Sequence, residues 1–489
     1  MFLRQFVLSG LGHLSTMIGD EETGTASVID PRRDVDAYLA AAHQQGLRIT
    51  HAVETHLHND YVSGGRELAA ATGAQHVIGA GAELRYPHRP IRNGEAFDVG
   101  ILRFTALDTP GHTPEHVAYT VADTTRADAP VVMFTGGSLL VGSVGRTDLL
   151  GPENAIPFGR AMFRSLHEVI LAHEDFVGVM PTHGAGSLCS TGISSTPSST
   201  IGYERRYNAL LSIEDADRFA HALLAGQPAF PRYFARMRPT NQGGPRVLGG
   251  VPEPQALSVD AVREALAAGA LVIDTRAPHK HAAGHIPGSL SIALDASFGT
   301  WLGWVVTDPD RPLILLLTDP SDWDEAIRQA IRIGFDAVIG FLDGGFAAWQ
   351  QAGLEVETGG TLSIDGLAER LDAGGPEAPL VIDVRQATEY LAGHLAGSLP
   401  IGAGALSDVL DQLPRDRPIA TICASGYRAS VAASLLRAAG FERVEWVRGG
   451  VPGWADRGYP VEVGRPEPEA PDVEPSRVGV SEPAQTHRH

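Results

Sequence analysis

Cys423 opens a six-residue run, Cys423-Ala424-Ser425-Gly426-Tyr427-Arg428, set between an apolar segment, Pro418 to Ile422, and an Ala/Leu-rich stretch predicted to turn helical near Ala429. A strand that runs into a loop and then a helix places the sulfur at a helix N-terminus, where free backbone N–H groups and the helix dipole favour an anion. A thiolate held this way is a competent nucleophile, and an outer sulfur left on it as a persulfide stays within reach of the same donors. Sulfur transfer is the chemistry this arrangement suits. Ala424, Ser425, Gly426 and Tyr427 would form the cradle, with small walls at Ser425 and Gly426. Arg428 closes the loop and is expected to attract an anionic donor such as thiosulfate.

A second group is built from histidine. The segment Ile49 to Val53 runs into Thr55-His56-Leu57-His58-Asn59-Asp60, the segment Leu102 to Leu107 is followed by Gly111-His112, and His183 sits in Pro181-Thr182-His183-Gly184. Two imidazoles at alternate positions and a carboxylate two residues later form a metal-ligand spacing. The expectation is one metal ion held by His56, His58 and His112. Asp60 and His183 would serve the metal or the substrate.

These residues need elements to position them. Runs of β type (Ala26 to Asp30, Ile49 to Val53, Val131 to Phe134) alternate with helical stretches (Val35 to Gln44, Gly65 to Ala71, Arg160 to Leu171), which predicts a layered α/β domain with a helical extension over residues 1–242. The Gly/Pro-bearing stretch from Gly243 to Pro254 has linker composition. Beyond it the chain repeats itself: Leu271 to Arg276 and Ala283 to Leu290 return as Leu380 to Arg385 and Ala392 to Leu399, with Asp274 and Asp383 109 residues apart. A duplicated domain is expected over 255–358 and 361–465, and a disordered tail over 466–489. The first copy continues from Leu313 to Leu317 into Thr318-Asp319-Pro320 and has no cysteine.

Composition narrows the partners. The formal net charge is −20, without a basic run to offset it, so nucleic acid and anionic membrane surfaces are poor partners. No apolar stretch reaches the roughly 20 residues of a transmembrane helix, and the N-terminus lacks the pattern of a signal peptide. A cytoplasmic protein is expected. The two cysteines, Cys189 and Cys423, fall in different domains and are expected to be free thiols.

Both repeats resemble rhodanese domains. The residues that carry the likeness are Asp383 and Arg385, Gly393-His394 with Gly397-Ser398, Cys423 to Arg428, and Arg448-Gly449-Gly450 with Trp454; the first copy matches with Asp274, Arg276, Gly284-His285, Gly288-Ser289, Asp343-Gly344-Gly345 and Trp349. The resemblance implies an α/β fold with a parallel sheet flanked by helices, a sulfurtransferase centred on Cys423, and a first copy that packs beside it without carrying sulfur. Asp383, Arg385 and His394 occur in both copies, so ion pairing and turn formation are their expected roles.

The order of histidine motifs over residues 1 to about 200 resembles the metallo-β-lactamase fold, an αββα sandwich. Within it, Phe134-Thr135-Gly136-Gly137 to Asp148 is similar to persulfide dioxygenases, a group in which fusion to rhodanese domains is known. That likeness implies a metal-dependent oxidation of a low-molecular-weight thiol persulfide to thiol and sulfite, with iron(II) ahead of zinc. Two positions depart from the pattern: Gly137 stands where a carboxylate ligand is expected, and Tyr61 replaces a histidine. A glyoxalase II-like thioester hydrolase, and a sulfurtransferase whose lactamase-like domain only binds, are the alternatives. On the binding-only reading, Gly137→Asp is expected to raise metal affinity or create O₂ uptake. The thiol, the direction of transfer and a homo-oligomeric state are left open.

Overall fold

The computed structural model describes residues 1–464. The tail expected over 466–489 lies outside the described residues. Two six-stranded sheets face each other in the first half of the chain. One runs in the order Phe2–Leu8, His13–Asp20, Thr25–Ile29, Arg48–Val53, Gln75–Gly79, Arg89–Ile91; the other runs Ser199–Thr200, Gly178–Pro181, Val132–Gly136, Val117–Asp123, Leu102–Asp108, Ala96–Val99. Ile18, Val53, Phe104, Tyr119 and Phe134 fill the space between the sheets. Helices cover both outer faces: Tyr38, Ala41 and Leu68 pack under Asp36–Gln44 and Gly65–Thr72, while Met162, Phe219 and Leu223 pack under Pro152–Arg164 and Ala216–Leu224. This is the αββα sandwich expected from the sequence.

Arg48–Val53, Leu102–Asp108 and Gly178–Pro181 each lead directly into a histidine loop, and the three loops meet at one rim of the sandwich. The predicted long helix from Arg160 to Leu171 is instead the end of Pro152–Arg164, a π turn over Ser165–Val169 and a short 3₁₀ turn. The stretch Gly243 to Pro254 is strapped to the first domain: Glu67 accepts from the backbone N–H groups of Leu248 and Gly249 at 2.7 Å each, and Arg66 donates to the carbonyls of Gly244 and Pro245.

The remaining residues form two five-stranded parallel sheets with one topology. By order of appearance within each copy, the strands lie 1-5-4-2-3, with Leu271–Asp274 and Leu313–Leu316 central in the first and Leu380–Asp383 and Ile419–Ile422 central in the second. Arg276 clamps Asp274 and donates to the carbonyl of Gly284; Arg385 does the same with Asp383 and Gly393. These pairs hold the turn after the second strand, the structural role read from their presence in both copies. Asp274 pairs with Leu316 and Asp383 with Ile422, so Leu317 of the first copy holds the place of Cys423.

The first copy sits between the other two parts. Its Arg332 pairs with Asp34 at 2.8 and 2.6 Å, and its Ser291 N–H donates to Ser434 of the second copy at 3.0 Å. One apolar cluster joins Val62, Tyr233 and Phe234 of the sandwich, Phe298 and Leu302 of the first copy and Val431 of the second. Among the described residues, no helix is long and apolar enough to cross a membrane.

Candidate metal centre and cysteine loop

The histidine loops bring four imidazoles to one buried point. Ring centroids of His56 lie 4.2 Å from His58, 4.9 Å from His112 and 5.6 Å from His183, and His112 lies 5.4 Å from His183. Each ring is oriented from behind. His56 Nδ1 is 2.8 Å from Thr55 Oγ1, and His112 Nδ1 is 2.9 Å from the Arg146 carbonyl, which leaves Nε2 of both facing inward. His58 is held the other way: its Nε2 meets Glu54 at 3.0 Å and Asp30 at 3.3 Å, so Nδ1 is its free atom. Such outer partners fix the tautomer and direction of a ligating imidazole.

The inward atoms have no hydrogen-bond partner, and His183 Nδ1 stands 3.4 Å from Asp60 Oδ2 as an ion pair. His56 Nε2, His58 Nδ1, His112 Nε2, both nitrogens of His183 and both carboxylate oxygens of Asp60 are buried without a hydrogen bond. Buried polar groups are nearly always paired, so orphaned donors converging on one point fit a metal ion. One ligand atom from each of His56, His58 and His183 lies within 4.8 Å of the others, and the same is true of His112, His183 and Cys189. The expected trio is therefore divided, with His56 and His58 in one set and His112 in the other, and His183 belongs to both.

Cys189 is the residue the sequence reading missed. It follows His183 by six residues, and the loop after Gly178–Pro181 folds it back beneath the imidazole. Burial pushes its thiol up, as does Asp60, while His183 opposes them. Burial would lower His183, but Cys189 and Asp60 raise it well above the usual histidine range. For Asp60, burial acts upward and His183 outweighs it, holding the carboxyl at about 2. A Cys six residues after a His in a Gly/Ser-rich loop was the available signal.

Other residues near the centre are accounted for. His116 uses both nitrogens, Nδ1 with Thr109 at 2.8 Å and Nε2 accepting from Gly137 N–H at 2.9 Å. Tyr61 is buried, its ring 4.3 Å from His58 and from His13. Asp148 is taken up by Arg146 at 2.6 and 2.8 Å. Gly137 supplies no ligand, and the His112 ring fills the space beside it: a Cβ there would stand 2.7 Å from Nε2 and 2.8 Å from Cγ.

At the other end of the chain, Cys423 follows Ile419–Ile422 and the helix Tyr427–Ala438 begins four residues later, slightly earlier than expected. Cys423 Sγ accepts from Gly426 N–H at 3.1 Å and is fully buried. Gly426 has φ +109°, and a Cβ on it would come within 2.7 Å of Trp446, so this turn requires glycine. Tyr427 faces away from the sulfur, with its hydroxyl donating to the Ala293 carbonyl of the first copy at 2.9 Å. Glu389 engages both terminal nitrogens of Arg428, at 2.6 and 2.8 Å, so the cation expected to attract an anionic donor is held in a bidentate pair.

Residues 8–173 match the metallo-β-lactamase superfamily, and residues 258–352 and 363–457 each match the rhodanese-like domain. A hydroxyacylglutathione hydrolase from Rhodospirillum rubrum is 31% identical over 231 residues, 44% of this chain and 88% of that protein. The crystal structure of a metallo-β-lactamase from Staphylococcus aureus COL superposes with a TM-score of 0.62 at 32% identity, covering 70% of this chain and 98% of that one. The chain belongs to the metallo-β-lactamase superfamily and carries two rhodanese-like domains. ETHE1 from Myxococcus xanthus is 28% identical over 50% of this chain and 98% of that one, with a TM-score of 0.43. As a member of a metal-binding superfamily, the chain brings its orphaned histidine nitrogens to the rim where its sandwich carries the three histidine loops.

Proposed function

We propose that this metallo-β-lactamase superfamily member is a sulfur-handling enzyme in which Cys423 carries sulfane sulfur and the metal centre oxidises a low-molecular-weight thiol persulfide. The observation that supports it most is the bond from Gly426 N–H to Cys423 Sγ at the start of a twelve-residue helix. That donor and the helix N-terminus stabilise anionic sulfur. With thiosulfate, the Cys423 thiolate attacks the outer sulfur, a new S–S bond forms, the old one breaks, and sulfite leaves with the electron pair. An acceptor thiolate then attacks the outer sulfur of the persulfide, and Cys423 leaves as thiolate.

In the sandwich, His56 and His112 through Nε2 and His58 through Nδ1 would hold the ion, with His183, Asp60 and Cys189 beside them. A bound iron(II) would supply the redox chemistry with O₂, for which the net change is thiol persulfide, O₂ and water giving thiol and sulfurous acid. Burial of the centre keeps bulk water from the persulfide. Anaerobic purification, metal analysis and O₂ uptake with glutathione persulfide test this half; iron without O₂ uptake would remove it.

A second reading is thioester hydrolysis, which the likeness to the R. rubrum hydrolase favours. Against it stand Gly137, which supplies no bridging carboxylate, and Tyr61, which packs between His13 and His58 where a further histidine ligand is expected. Two metals per chain and turnover of a hydroxyacyl-glutathione thioester would decide for it.

A further inference from the structure

A cavity of about 260 Å³ lies where all three domains meet, and Asp60 and Arg428 both line it. Asp60 belongs to the metal rim and Arg428 to the cysteine loop, so the space lies between the two chemical centres, although neither Cys423 nor a ligand histidine lines it. The cysteine-less copy contributes Thr300, Trp301 and Trp304, the sandwich adds Leu11, Leu188 and Tyr233, and Gln386 of the second copy lies on the wall with Arg428. The seams around it are tight. Tyr233 donates to the Asp60 carbonyl at 2.9 Å while its ring lies so close to Gly303 that a Cβ there would stand 2.7 Å from Cε1. Trp304 packs on Gly404 of the second copy with the same closeness, 2.9 Å from a Cβ to Cδ2. Tyr427, next to Arg428, is bonded to Ala293 and lies 6.2 Å from Trp301. The copy without a cysteine supplies contacts that wall this space.

We propose that the cavity is a shared binding chamber for a small organic thiol bearing one extra sulfur, and that the cysteine-less rhodanese domain serves as its wall. The two indole rings suit the apolar stem of such a thiol, and the Thr300 hydroxyl and the Gln386 amide suit its polar groups. In the chamber the thiolate attacks the outer sulfur of the Cys423 persulfide. The new S–S bond forms on the small thiol, the bond to Cys423 Sγ breaks, and Sγ keeps the electron pair; no net oxidation occurs. The thiol persulfide then passes along the same cleft to the metal rim. This rests on the function proposed above.

Two measurements separate this inference from that function. In the first, Cys423 is loaded with isotope-labelled sulfur from thiosulfate, then glutathione is added together with excess unlabelled glutathione persulfide. Sulfite that keeps most of its label supports the chamber; label diluted to the bulk ratio overturns it while leaving the function intact. Failure to load Cys423, or to consume O₂, overturns both. In the second, metal-stripped protein is titrated with S-methylglutathione and tryptophan emission is followed. A saturable change that weakens at least tenfold in Thr300→Trp is expected, and no change in the unsubstituted protein contradicts the chamber.

Discussion

The His112 ring occupies the space into which a side chain at Gly137 would project, 2.7 Å from Nε2 to the position of a Cβ. The missing carboxylate is therefore not a simple vacancy beside an otherwise unchanged site. The ligand and the glycine fit one another. Gly137→Asp must move His112, and the expected outcome is the reverse of the rise in affinity anticipated on the binding-only reading. Metal affinity should fall about tenfold or more, the size of effect seen when a ligand's supports are disturbed. Competition with a chelator measures it, and equal or tighter binding would show that the ring yields freely.

Cys189 faces the same centre as His112 and His183, and like Asp60 it raises the His183 imidazole. A cobalt(II)-substituted protein should show a sulfur-to-metal charge-transfer band that disappears in Cys189→Ser. Identical spectra would place the thiol outside the ligand set. Thiolate ligands favour softer metals, so the same substitution should also shift the preference between zinc and iron(II).

Gly426 combines a left-handed backbone with close approach to Trp446. In Gly426→Ala the turn that aims its N–H at Cys423 cannot keep its shape, and sulfur transfer from thiosulfate should fall by about 10²-fold, the usual cost of losing one aimed N–H donor. Circular dichroism should remain that of a folded chain. Transfer within threefold of the unsubstituted protein would mean the donor contributes little.

Asp34 and Arg332 join the sandwich to the first rhodanese domain. Burial would raise the Asp34 carboxyl, but hydrogen bonding and attraction from Arg332 outweigh it and hold it below the usual aspartate range. A depressed carboxyl stabilises the fold above its unfolded pKa and loses that contribution as pH falls through the folded value. Asp34→Asn should cost about 3 kcal/mol near pH 7, because Arg332 is left buried without its charge partner. The difference from the unsubstituted protein should shrink below about pH 4. Urea unfolding at several pH values tests it; a difference constant with pH would refute the assignment.

Local patterns were the legible part of this chain. The strand, cysteine loop and helix around Cys423 are consecutive in sequence, and the two rhodanese-like copies announce themselves by repetition. The histidine order pointed to the sandwich because each motif follows its own strand directly. What stayed hidden depends on distance along the chain. Cys189 comes near His112 only when two loops from one sheet close together, and Glu389 reaches Arg428 from 39 residues upstream. The strand His13–Asp20 was not foreseen because all eight residues are buried, and with His, Ser, Thr and Asp among them it shows no alternation of apolar and polar positions. Leu317 in the place of Cys423 became visible only once strand register was known.

The most direct test concerns the sulfur on Cys423. The protein is incubated with thiosulfate, and its peptides are separated without reductant and weighed. A gain of one sulfur atom on the peptide bearing Cys423, absent in Cys423→Ser and removed by cyanide as thiocyanate, is the predicted result. An unchanged mass at Cys423, with both thiosulfate and glutathione persulfide as donors, would contradict the account.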